Sequence, residues 1–416
     1  MNVIERYEST AQSYVRSAPV IYQRAGGAEL FDENGNSFID FYSGGGPLSY
    51  GHNHLNVCSA LIDYLCKDGV LQTREKSSVA KREFIRKFVK SILEPRGLNY
   101  KMLFTDPASG TAAEIAMRLA RRDRQRSNIV AFTNASHGLT DGAATVTSRK
   151  SSKYENGDHR GQTVFMPYCG YFGPDVDTIA YFRKYLEDGS SGIERPAAVI
   201  VATVQDDGGV HVASDAWLKA LEVLCREFGV LLILDETQTG CGRCGHFFSF
   251  ERAGIVPDMV LVSNAIAGGL PMSLLLMRPD LDHWRPGEQV GVFQGDSLAM
   301  VAATELLSLW DNKAFGAEIL VKGMELERAL KAMVSSFPQR STAIRGTGMV
   351  WGLDFGAAAS ASVVSGWALE AGLVVEGARL RDEVLLVMPP VTISDEHLRE
   401  GLRRLGAVVS QFLERR

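Results

Sequence analysis

Several things are scarce in this chain, and each scarcity excludes something. No run of about 18 apolar residues occurs, which excludes a membrane-spanning helix. No basic excess exists: 44 Lys+Arg stand against 49 Asp+Glu, a formal charge of -5, which argues against a nucleic-acid binder. Six Cys in 416 residues make no disulfide framework. With a polar start, MNVIERYESTAQSYVRS, lacking an apolar leader segment, the expectation is a reducing cytoplasm. Lysine is the scarcest functional type. Only 13 of the 44 basic residues are Lys, and none lies between Lys219 and Lys313. What is present is ordinary globular material, 45% apolar and 22% charged, long enough for two lobes.

The pattern along the chain predicts an α/β fold. Near the start, AELFDENGNSFIDF places Asn34-Gly35 between two alternating runs, which predicts a hairpin closed by a type I′ turn. From about residue 100, short continuous apolar runs (KMLFT, NIVAFT, AAVIVATV, VLLILD, MVLVS) alternate with helical segments, as strands covered on both faces do. SDAWLKALEVLCREFG carries Leu218, Leu221, Leu224, Cys225 and Phe228 on one stripe, with Gly229 as its stop. This predicts a large domain over 48–310 with a mostly parallel sheet. A smaller α+β domain is expected from 1–47 with 311–416. No Pro- or Ser-rich linker separates the two.

Three segments carry chemistry. FTDPASGTAAEIAMRLARR follows a strand and opens a helix, with Thr111 to Glu114 spaced as a capping box. Ser109, Gly110 and Thr111 would sit at the positive end of that helix, a natural phosphate site; on this segment alone an ordinary capped helix is the favoured account. VLLILDETQTG ends a buried strand with Asp235 and Glu236, where open α/β sheets place their ligand crevice. An Asp there can hold a protonated ring nitrogen, or merely begin a loop. Cys241-Gly242-Arg243-Cys244 has no second pair to complete a zinc site, so no metal is expected, and His52-x-His54 reads as two loop histidines.

Taken in order, RAGGAELFDENGNSFIDF, the SGT helix start, Ser136-His137-Gly138, ILDETQTGCGRCG, FERAGIVPD and AIAGGLP resemble class III aminotransferases over nearly the whole chain. VAKREF, EPRGLNYK and RPDLDHWRPGE resemble the branch of that family acting on diaminobutyrate. The resemblance implies fold type I and pyridoxal phosphate (PLP), or its amine form (PMP), as cofactor. It implies phosphate contacts from Ser109, Gly110 and Thr111, a pyridinium contact from Asp235, and a contact to the ring's 3-oxygen side from Gln238. It also implies a dimer.

The departures fall on the site itself. The Schiff-base lysine of the resemblance aligns with Asn264 in Val262-Ser263-Asn264-Ala265-Ile266-Ala267-Gly268-Gly269, and an amide nitrogen neither forms an imine nor shuttles a proton. The stacking aromatic is replaced by Ser136 and the cross-dimer Thr by Val292. Ala202 stands where the family has a glutamate, and Leu386 where it has a carboxylate-gripping cation. Three readings follow. One is a lysine-knockout variant of a working transaminase, which explains only Asn264. One is a repurposed enzyme acting on a small amino acid or 2-oxo acid, holding PLP or PMP noncovalently, with His137 as general base or as a support of the pocket. One is an inactive partner subunit of an active paralogue. Ordinary lysine-dependent transamination is not expected.

Overall fold

The structure is a computed structural model; it describes residues 3–9, 20–73, 76–148, 162–289, 291, 293–340 and 342–415. At its centre is a seven-stranded sheet. Its order is Lys101–Thr105, Ser273–Met277, Met259–Val262, Leu231–Asp235, Ala198–Val201, Ile129–Phe132, Thr163–Met166. Every pairing is parallel except the two made by Ser273–Met277, which runs against both of its neighbours. The continuous apolar runs now have a cause. Successive side chains of a strand point to opposite faces, and here they feed two different cores. Ile129, Ala131, Ile200, Leu231, Ile233 and Leu261 pack on one side with the helix Ser109–Arg124. Val130, Phe132, Val201, Leu232, Leu234 and Val262 pack on the other with the helix Asp215–Glu227. That second helix starts where Ser214 accepts a hydrogen bond from the Trp217 amide, a cap worth about 1 kcal/mol. It stops at Gly229, whose φ of +60° suits a residue without a Cβ.

Two smaller four-stranded arrays and a two-stranded hairpin, Val204–Gln205 with His211–Val212, complete the fold. One has the order Ala343–Thr347, Val350–Asp354, Arg381–Val387, Glu376–Ala378 and is flanked by the helices Phe315–Ser335, Ser360–Glu370 and Asp395–Arg415. The other holds Tyr22–Gly26, Glu29–Asp32 and Ser37–Asp40, the last pairing in parallel with Leu373–Val374. The early hairpin forms, but not with the predicted turn. A type I′ turn needs positive φ at both central residues, and in this loop only Gly35 has it, at +86°. Asp32 directs the loop instead. Its carboxylate accepts from the amides of Asn34 (2.9 Å) and Asn36 (2.8 Å) and from the Asn36 side chain (2.8 Å).

Arg243 ties the central sheet's loops to the C-terminal array. It is fully buried, and its guanidinium donates to Pro389 O (2.6 Å), Met349 O (3.2 Å) and Ser49 Oγ (2.6 Å). Burial pulls its pKa down to about 10. The flanking Cys241 and Cys244 are buried, unbridged thiols, and burial raises both pKa values, which keeps them unreactive. Among the described residues no three His, Cys, Asp or Glu side chains converge as metal ligands, and no helix is long and apolar enough to cross a membrane.

Candidate active site

A cavity of about 510 Å³ opens at the carboxyl ends of the parallel strands. His137 comes from the loop after Ile129–Phe132, Asp206 and Asp207 from the turn between the short strands Val204–Gln205 and His211–Val212 that follow Ala198–Val201, and Gln238 from the loop after Leu231–Asp235. Asn264 follows Met259–Val262. Parallel strands end on one side, so four loops distant in sequence face one space. The tip of the hairpin between Glu376–Ala378 and Arg381–Val387 closes the rim with Arg379 and Leu380.

Asp235 does not itself line the cavity. It lies one layer behind, 5% exposed, and its partner His137 forms the surface. His137 Nδ1 is 2.7 Å from Asp235 Oδ2, while Oδ1 accepts from the Thr237 amide (3.0 Å) and hydroxyl (2.7 Å). Burial alone would push the Asp235 pKa up, but the His137 contact and the Thr237 hydrogen bonds outweigh it and hold the carboxylate below its usual range. A carboxylate has about four acceptor positions, so three partners leave room for one more donor. His137 Nε2 is buried with no hydrogen-bond partner.

The helix Ser109–Arg124 points its first turn at the cavity, but the predicted capping box is absent. Ala108 is the N-cap, without a side-chain acceptor, and the Thr111 amide donates to Ala108 O (3.1 Å). Thr111 is therefore already inside the helix, one turn too late to cap it. Glu114 instead accepts from the Gly142 (2.8 Å) and Ala143 (3.4 Å) amides and fastens the neighbouring loop. A helix start without a side-chain cap leaves its leading amides for a ligand's oxygens. Gly110 lines the cavity and packs against Gly138, where an added Cβ would come within 2.6 Å of the Gly110 Cα.

Asn264 has a φ of +52° and opens a short 3-10 helix, Asn264–Ala267. Asparagine tolerates that left-handed backbone better than most residues. Its Nδ2 donates to Gln238 Oε1 at 2.9 Å. Ser136 is also engaged: its hydroxyl donates to Asp207 Oδ2 at 3.1 Å. Among the described lining residues there is no lysine, and no aromatic ring except the imidazole of His137. Glu236, next to Asp235, turns away from the cavity. It is held by Ser249 and Thr239, and burial pushes its pKa up to about 7.

Other expected site positions fall elsewhere. Leu386 is a buried strand residue opposite Gly352 and Glu376, packed with Val204, Val210 and Met388, and it does not line the cavity. Ala202 is also outside the lining; its carbonyl accepts from the Tyr168 hydroxyl (2.9 Å). His52 pairs with Asp40 at 2.9 Å. Val292 lies outside the described residues. Sequence reasoning missed Asp206, Arg379 and Thr140 as cavity residues. The only signal for Asp206 was an unusual Asp-Asp pair, and Arg379 needed the hairpin's register to be found.

Comparison with known proteins gives the family. The family model described as aminotransferase class-III matches residues 10–409. A diaminobutyrate–2-oxoglutarate transaminase of Wolinella succinogenes is 46% identical over 416 residues, covering 100% of this chain and 97% of that protein. The enzyme of the same name from Halalkalibacterium halodurans is 40% identical over 415 residues, with 100% and 97% covered. Among solved structures, the ornithine aminotransferase of Toxoplasma gondii superposes with a TM-score of 0.85 at 25% identity, covering 99% of this chain and 94% of that one. A match that spans both the central sheet and the C-terminal array leaves no segment to be explained by another family, and the chain belongs to the class III aminotransferases.

Proposed function

We propose that this class III aminotransferase chain holds PLP or PMP without a covalent link and acts on a small amino acid or 2-oxo acid. The observation that carries the reading is Asn264. By the sequence resemblance it takes the place of the Schiff-base lysine; its amide is hydrogen-bonded to Gln238, and the described lining holds no lysine. The class works with PLP, and a further structure of the T. gondii enzyme is described as having partial occupancy of PLP at its active site.

The residues present fit such a group in part. The uncapped helix start at Ser109, Gly110 and Thr111 would take the phosphate, with the Gly110–Gly138 contact leaving room for it. Asp235 keeps one acceptor position but lies behind His137 outside the lining, so a ring nitrogen in the cavity would meet the imidazole first, and Gln238 would face the ring's oxygen side. Bound, the group supplies an electron sink for charge on an amino acid's α-carbon. Without a lysine, His137 is the group able to hold or move a proton, at the unpartnered Nε2, while Asp235 fixes its orientation through Nδ1. The relatives' names make diaminobutyrate and 2-oxoglutarate the first ligands to try. The division into 48–310 and 1–47 with 311–416 belongs to this reading, supported by the pairing of Ser37–Asp40 with Leu373–Val374.

The test is spectroscopic. Purified protein titrated with PLP and PMP is expected to perturb their absorbance, and borohydride treatment to leave no pyridoxyl-lysine by mass spectrometry. No change on titration sinks the cofactor reading, and a pyridoxyl-lysine sinks the Asn264 argument. A second reading, a subunit that docks onto a lysine-bearing paralogue, draws support from the apolar face of the helix Leu55–Cys66, where Leu55 (84%), Ile62 (63%) and Leu65 (50%) are exposed. Co-expression with such a paralogue would then yield a mixed dimer. A homodimer with turnover of its own counts against it.

A further inference from the structure

A second cavity, of about 670 Å³, shares Gly44 with the candidate active site and is otherwise built from different elements. Tyr22, Leu30 and Asp40 reach it from the three strands of the early array, Leu369 from the helix Ser360–Glu370, and Glu376 and Asp382 from the two arms of the C-terminal hairpin. Three carboxylates line this space, those of Asp40, Glu376 and Asp382, and among the described lining residues there is no Lys or Arg.

Asp40 is already committed. It is 1% exposed, accepts from the Tyr42 and Ser43 amides (both 2.8 Å), and faces His52 Nε2 at 2.9 Å. Glu376 and Asp382 have no hydrogen bond or ion pair among the described residues. Asp382 is exposed, whereas Glu376 is half-buried, and that burial raises its carboxyl above the usual range with no cation to offset the cost. The negative field is felt next door: burial, then Asp40 and Glu376, push the Tyr22 phenol up to about 12. These acids do not converge as ligands of a metal ion. Val20, Leu30, Leu369 and Val374 add apolar wall, and the rings of Tyr22 and Tyr42 add faces that attract an ammonium group. Separated negative charges on an apolar wall match positive charges at the two ends of a hydrocarbon chain.

We infer that this second cavity binds an aliphatic diamine in its diammonium form, one end on Glu376 beside Tyr22 and Tyr42 and the other on Asp382. A carboxylate on the ligand is disfavoured, because no cation among the described residues lines the space to receive it. Tyr42 also hydrogen-bonds Arg379, which lines the first cavity, so the two spaces share a wall. The inference goes beyond the cofactor reading and holds whether or not a cofactor binds in the first cavity.

Calorimetric titration of the purified chain tests it, with 1,5-diaminopentane and with its single-charge counterparts n-pentylamine and pentanoate. The diamine is expected to bind about tenfold or more tighter than the monoamine, and pentanoate not at all. Glu376→Gln weakens the diamine about tenfold or more, since a charge-assisted contact becomes a neutral one. Leu369→Trp, which fills the cavity and leaves its charges in place, abolishes binding. Asp206→Asn, in the first cavity, leaves the diamine within about twofold. Absence of diamine binding to the parent chain overturns the inference, and so does an unchanged affinity in Glu376→Gln. An affinity lost in Asp206→Asn but kept in Glu376→Gln assigns the diamine to the first cavity and overturns it as well. Thermal melts confirm that each variant folds, and if Leu369→Trp does not, Glu376→Gln decides alone.

Discussion

Behind the cavity, Asp235 is 5% exposed and accepts three hydrogen bonds; on its rim, Arg379 is 67% exposed and meets its nearest carboxylate at 4.0 Å. The first carboxylate is defined by its neighbours before any ligand arrives. The second charge is placed by backbone contacts, and beyond the Tyr42 hydroxyl its guanidinium has no close partner. The contrast separates two jobs. Holding one protonation state takes full hydrogen bonding in low dielectric. Choosing a ligand takes a charge whose desolvation is repaid by that ligand.

The strongest way to break the contrast is Asp235→Ala. It leaves the His137 ring and Thr237 without their buried acceptor, and a loss of about 3 kcal/mol in unfolding free energy is expected from urea titration. If stability barely changes, the pair behind the cavity is less tightly built than its geometry indicates. Next is Asp206→Asn, whose effect depends on pH. Asp206 has a folded-state pKa raised to about 7, so the folded chain binds more protons than the unfolded one between roughly pH 4 and 7. Its contribution to stability is intact below the unfolded value and is lost as pH rises toward 7. The variant is therefore expected to gain melting temperature at pH 8 relative to the parent and little at pH 5. An equal gain at both values would assign the effect to packing.

Asn264→Lys is expected to cost about 1 kcal/mol, because lysine tolerates the +52° φ less well than asparagine. It is also expected to let borohydride fix cofactor to the chain without restoring transamination, since Ser136 still offers no stacking ring. Full activity would show that the lysine alone had been missing. Arg379→Gln should have the smallest effect on stability, under about 1 kcal/mol, as exposed ion pairs do. A large loss would place Arg379 with the buried residues rather than on the rim.

Much of the fold was legible in the sequence because its signals are local. KMLFT, VLLILD and MVLVS are strands, and the stripe from Leu218 to Cys225 is buried as its spacing requires. Thr163–Met166 and Ser273–Met277 escaped notice. Both are short apolar runs, and periodicity alone does not separate such runs from helix. His137, Asn264, Gln238 and Gly110 do line one cavity. The errors came where tertiary partners overrode local chemistry. Asp32 chose the hairpin's loop geometry, and Glu114 bonded a neighbouring loop rather than its own helix start. Neither choice has a one-dimensional trace.

The pairing of Ser37–Asp40 with Leu373–Val374 also bears on how the chain is made. Ser43 Oγ donates to Met388 O across 345 positions of sequence. On the ribosome, the early hairpin must therefore emerge, wait through synthesis of the whole central sheet, and find its last strand partner only near the end. A strand edge kept waiting is an aggregation hazard. Translation speed over the last quarter of the message should accordingly decide how much of this protein reaches its folded form.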